Sequence, residues 1–159
     1  MAVISKDRRG FTLIEIIAAL VILGALGVVG TMALAKMVES YQWSKDNAHL
    51  SQKAQVAMTR IASELSYATD VKISGDTIRY DAEYPDGTTS ARNRIGVQGG
   101  QTVLRLSVDN APLGQGYILA DNVTEFAPSR SNNHLIAIEL RMQGANGVEQ
   151  AFTTSITHR

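Results

Sequence analysis

Residues 11–38, FTLIEIIAALVILGALGVVGTMALAKMV, hold a single charged side chain before Lys36, and it is Glu15. At ~1.5 Å per residue, a helix over residues 11–35 runs about 37 Å, enough to cross a hydrocarbon core of about 30 Å. Lys6, Arg8 and Arg9 precede the run, which predicts a single pass with the N-terminus cytoplasmic and everything after Lys36 outside. A secretory signal has a shorter apolar stretch with a small-residue cleavage site at its far end. Gly30-Thr31-Met32-Ala33 imitates such a site weakly, but the run is too long for that class.

Past Lys36 no proline interrupts the chain until Pro85. From Asn47 the apolar positions Leu50, Ala54, Ala57 or Met58, Ile61, Leu65 and Ala68 recur at helical spacing, one stripe on one face. The membrane-length helix of residues 11–35 is therefore expected to continue as an amphipathic one over 36–69. If unbroken from Phe11 to Ala68, it would be about 87 Å long. A domain this small cannot bury such a helix, so its first half needs lipid or other helices around it. Gly24, Gly27 and Gly30 suit close approach of a neighbouring helix, although each weakens its own by ~1 kcal/mol relative to alanine.

From about Val71 the pattern changes to short alternating runs. Strands are predicted at Val71–Ser74, Thr77–Asp81, Val103–Val108, Leu135–Met142 and Phe152–Thr157. Ser74-Gly75-Asp76 and Ala145-Asn146-Gly147 read as hairpin turns. Pro85-Asp86-Gly87, Gly99-Gly100 and Asn132-Asn133 read as loops. In residues 135–141 the alternation sets Ile136, Ile138 and Leu140 on one side, so that strand has one buried and one wet face. A small antiparallel sheet over residues 70–159, laid on the outer half of the helix, buries both stripes at once, and the class is α+β.

Composition narrows the function. With 159 residues, 45% of them apolar, one core is the working assumption. The 15 basic and 15 acidic residues balance, so no global field draws the chain to nucleic acid or an anionic membrane. There is no cysteine, which removes disulfides, thiolate metal sites and cysteine nucleophiles together.

Glu15 is the residue that most needs a cause. A carboxylate at mid-helix in lipid costs on the order of 3 kcal/mol, less near the headgroups. Either Glu15 snorkels to the cytoplasmic headgroups or it meets a cation inside the membrane.

Arg8-Arg9-Gly10-Phe11-Thr12-Leu13-Ile14-Glu15 followed by the apolar run resembles the class III signal of type IV pilins and type II secretion pseudopilins. The resemblance implies cleavage after Gly10 by a prepilin peptidase and methylation of the new terminus, Phe11. It also implies that Glu15 meets the N-terminal amine of a neighbouring subunit and sets its register. The implied partners are other pilins or pseudopilins through the N-terminal helix, the prepilin peptidase, an inner-membrane assembly platform and, before assembly, membrane lipid. The implied location is the bacterial inner membrane and then a filament. Residues 1–10 are the expected leader. The fold implied is a pilin fold, a long helical spine with a sheet on its C-terminal half.

Two departures rank the subunit type. Many major pilins have a proline near the position of Met32, and type IVa pilins carry a C-terminal disulfide loop; this chain has neither. That favours a minor pilin or minor pseudopilin, and Glu15 speaks against the tip subunit of secretion pseudopili. Residues 57–65 and 117–126 are similar to the second helical segment and the middle strand region of minor subunits of the J or W type. The alternatives are a major pilin or pseudopilin and a monomeric membrane-anchored binding protein.

No residue pattern supports catalysis. His49, His134 and His158 are scattered without ligand spacing, so no metal is expected. Asp109-Asn110 and Asp121-Asn122 offer oxygens to calcium but read more simply as turns. Gly114-Gln115-Gly116 lacks the third glycine and following helix of a dinucleotide loop. No serine lies in a nucleophile motif, and Asn122-Val123-Thr124 is a sequon without consequence behind a bacterial-type signal. Arg92, Arg94 and Arg105 form a modest basic group without aromatic neighbours, so no nucleic acid is expected. No cofactor is implied, and the chain reads as a non-enzymatic structural subunit.

Overall fold

The computed structural model describes residues 10–132 and 134–157. Helix α1 (Leu13–Ser66) is followed by strands β1 (Ala68–Ser74), β2 (Thr77–Glu83), β3 (Thr89–Val97), β4 (Leu104–Ser107), β5 (Tyr117–Ala120), β6 (Val123–Asn132), β7 (Leu135–Gln143) and β8 (Glu149–Thr157). The class is α+β, one long N-terminal helix packed against antiparallel sheets. The chain divides into two units, Met1–Gln42 and Trp43–Arg159.

The described part of the first unit is almost wholly helix, and none of its side chains is buried. The second unit holds the core. Leu50, Ala54, Ala57, Met58, Ile61 and Leu65 line the buried face of α1, the stripe that the spacing predicts. Ala68 is buried too, but on β1, because the helix ends at Ser66, where the Ser66 hydroxyl donates to Ser63 O at 2.8 Å.

The sheet expected as one is two: a five-stranded meander β1-β2-β3-β4-β5 and a three-stranded meander β6-β7-β8. Val71, Ile78, Tyr80, Ile95, Leu104 and Leu106 from the first share one core with Val123, Phe126, Ile136, Ile138, Leu140 and Met142 from the second. Both meanders have short connections, which is why each antiparallel pair joins chain neighbours. Gly75, at φ 58, takes the first position of the two-residue turn between Ser74 and Thr77, and Asn146 and Gly147, at φ 60 and 72, turn the chain between β7 and β8.

Among the described residues eight strands stand where five are predicted, and each miss has a local cause. In β3 the alternation breaks because Arg92 is held at φ 57, leaving Asn93, Ile95 and Gly96 as the buried residues. Residues 117–126 hold β5 and the start of β6, with Asp121 and Asn122, the latter at φ 56, turning the chain between them. Pro128 argues against a strand in sequence, yet β6 lies at the edge of its sheet, where a missing N–H costs little. Asn132 closes β6 rather than opening a loop, and Asn133 lies outside the described residues.

Candidate functional site

At the start of α1, Thr12 is the N-cap. Its backbone carbonyl accepts from the N–H of Glu15 at 3.1 Å and of Ile16 at 3.3 Å, and its hydroxyl accepts from the same Glu15 N–H at 3.3 Å. Thr12-Leu13-Ile14-Glu15 thus has the spacing of a capping box. Among the described residues the Glu15 carboxylate makes no return bond and no ion pair. An acid in the first helical turn gains about 0.3–1 kcal/mol from the helix dipole. That is less than the on the order of 3 kcal/mol that a carboxylate costs in mid-membrane, so the cap alone does not settle Glu15 in lipid.

Gly10 and Phe11 lie just before the cap and are exposed, Phe11 by 79%. Lys6, Arg8 and Arg9 lie outside the described residues. Downstream, the large apolar side chains of the helix from Leu13 to Val38 are all exposed, and the segment is long and apolar enough to cross a membrane. A Cβ added at Gly24, Gly27 or Gly30 would meet nothing within 4 Å among the described residues. The Thr31 hydroxyl is satisfied within the helix by Val28 O at 2.8 Å, and the first ion pair after the apolar run is Lys36 with Glu39 at 2.9 Å.

A second cluster, not anticipated in sequence, joins the C-terminal end of α1 to the first sheet. Glu64, only 4% exposed, accepts from the Tyr80 hydroxyl at 3.2 Å and the Tyr84 hydroxyl at 2.8 Å, and pairs with Arg60 at 2.6 Å. Burial, and next the Glu64 charge, pushes the Tyr80 phenol far up. Burial and the bond to Glu64 push Tyr84 up to about 12. The Tyr84 ring packs on Tyr67 with centroids 5.7 Å apart. All of these groups satisfy one another, which makes the cluster a fastening of helix to sheet. A glutamate inside the apolar stripe of Ile61 and Leu65 was the available signal.

The remaining candidates disperse. Asp121 is taken by Lys53 at 2.8 Å, and Asn122 turns the chain. Asp109 and Asn110, at φ 52 and 63, turn it after β4, where the Asn93 side-chain oxygen accepts from Asp109 N–H at 3.1 Å. Gly114 to Gly116 is a 3-10 turn against β4, where a Cβ on Gly116 would strike the Leu106 carbonyl. His49 is exposed on α1, His134 N–H donates to Asn132 Oδ1 at 3.0 Å, and His158 lies outside the described residues. No group of three metal-ligating side chains occurs among the described residues.

Arg92, Arg94 and Arg105 do not act as one group. Arg105 donates to Gly116 O at 3.0 Å and braces that turn. Arg92 and Arg94 instead line a groove of about 360 Å³ with Lys72 and Arg79, two cations that sequence distance hides and strand register brings in.

No curated protein and no solved structure matches the chain significantly. Residues 5–31, which take in Lys6, Arg8, Arg9, Gly10, Phe11, Glu15 and the three helix glycines, match the family model of the prokaryotic N-terminal methylation motif.

Proposed function

We propose that the chain is a structural, non-enzymatic subunit of a type IV pilus-like or type II secretion pseudopilus filament. The observation that carries the reading is the methylation motif over residues 5–31, which runs into a helix whose apolar side chains are exposed among the described residues. A prepilin peptidase cuts after Gly10, and Phe11 becomes the methylated terminus. Until assembly the helix is held in the inner membrane, its basic leader cytoplasmic and everything after Lys36 outside.

Cleavage places an ammonium four residues before Glu15, in surroundings where either charge alone is costly. Pairing the amine of one subunit with the Glu15 of its neighbour relieves both and sets their stagger. Gly24, Gly27 and Gly30 then let helix backbones approach in the filament core. The missing proline near Met32 and the missing cysteines rank a minor subunit, of the J or W sort, above a major one.

The test is intact mass and N-terminal sequencing of the chain from membranes with and without a prepilin peptidase. Peptidase-dependent loss of residues 1–10 with one methyl on Phe11 is the expected outcome. An intact leader would turn the reading to a tethered binding protein, and a cut near Ala33 to a secreted one.

A further inference from the structure

The first sheet carries an unusual row. Lys72 on β1 stands directly opposite Arg79 on β2, and Arg79 directly opposite Arg94 on β3. Like charges set opposite one another weaken a sheet, so the row calls for an anionic neighbour. Asp70 and Asp81 lie beside it, and Arg92 completes the groove, so four cations face two carboxylates and the groove lining carries a net charge of +2. Lys72 is held by Asp70 at 2.6 Å, and Arg94 donates to Asn110 at 3.3 Å. Among the described residues the guanidinium groups of Arg79 and Arg92 have no hydrogen bond or ion pair.

The second sheet has the opposite surface. On its outer face Arg141 Nε is shared between Glu125 at 3.3 Å and Glu139 at 2.7 Å. Glu149 is exposed on β8, where it pairs in register with Gln143 beside them. Three carboxylates face one guanidinium, a net charge of −2. The chain as a whole is neutral, and these two patches carry net charges of opposite sign.

We propose that the Lys72–Arg79–Arg94 face of one copy docks on the Glu125–Glu139–Glu149 face of a second copy. Such a contact joins two different patches, so it is heterologous: it closes no symmetric dimer, and where its rotation closes no ring it propagates along an open fibre. Charge complementarity of this kind chiefly fixes register and partner choice. The inference rests on the filament reading. It favours a repeating subunit and would reverse the ranking of minor above major.

The chain has no cysteine, so single thiols can be placed at will. Ser74→Cys and Thr153→Cys sit exposed at the two faces, clear of the charges themselves. In membranes of cells that hold the peptidase and express full-length chains, treated with a copper(II)–phenanthroline oxidant, the two variants together are expected to form a mixed disulfide. Neither variant alone should self-link. Arg79→Glu with Arg94→Glu should lower the yield roughly fivefold for each charge, and Glu125→Arg with Glu139→Arg in the partner copy should restore it. Absence of the mixed disulfide, Ser74→Cys self-linking, or a yield indifferent to charge reversal would each overturn the proposal. Leader removal is read in the same samples: removal without cross-linking defeats this contact alone, whereas an intact leader defeats the filament reading as well.

Discussion

Leu23 and Ile61 lie on the same helix, yet Leu23 is 64% exposed and Ile61 is 0% exposed. The first belongs to a stretch apolar on every side, the second to one narrow stripe on a polar helix. An all-round apolar helix suits a surrounding as apolar as itself, whereas a stripe suits a sheet laid on one side. The described residues from 43 onward thus hold the buried core, and the apolar side chains of the helix before them are exposed.

The contrast is broken most sharply by shortening one side chain in each region. Ile61→Ala should destabilise the outer unit by about 2–5 kcal/mol, seen in chemical denaturation, because the cavity lies where helix and sheets meet. Leu23→Ala should leave that unfolding curve where it was. A comparable loss at Leu23 would mean that the first half of the helix supports the core.

Next in size is Glu15→Ala, which should leave the outer unit's unfolding and the leader cleavage unchanged. It should reduce incorporation into filaments on the order of a hundredfold, the equivalent of about 3 kcal/mol of unpaired charge in lipid. Unchanged assembly would remove the register role from Glu15. Glu64→Ala is the counterpart in the outer unit, since both are acids on apolar faces of one helix. It strips Tyr80 and Tyr84 of their acceptor and should cost about 1–3 kcal/mol of stability without touching cleavage.

The smallest effect is a pH dependence confined to the outer unit. The Tyr84 phenol is raised from 10 to about 12 in the fold, so the folded state holds its proton where the unfolded chain gives it up. Its contribution is complete below pH 10 and is lost as the pH rises through about 12. Thermal unfolding followed from pH 8 upward should show this decline, and Tyr84→Phe should make it shallower.

Much of this was legible along the chain. The charge-free run, Glu15 within it, and the stripe from Leu50 to Leu65 are local patterns, and a helix expresses a local pattern directly because its neighbours are three and four residues apart. Turns at Gly75 and at Asn146-Gly147 were equally plain, since a positive φ selects its residues. Strand β3 was not legible, because one left-handed arginine breaks the alternation that a strand is read from. Nor was Thr12 as a cap, although its spacing to Glu15 was in view.

By itself the sequence determined a membrane-length helix, the residues at its entrance and an outer unit of mixed class, all set by what lies within a turn or a hairpin. Tertiary structure alone decided that the strands form two sheets, that Glu64 is buried between Arg60 and two tyrosines, and that Lys72, Arg79 and Arg94 stand in a row. The reason is physical: cross-strand register joins residues far apart in the chain, and a shift of one position would send the same side chains to the opposite face.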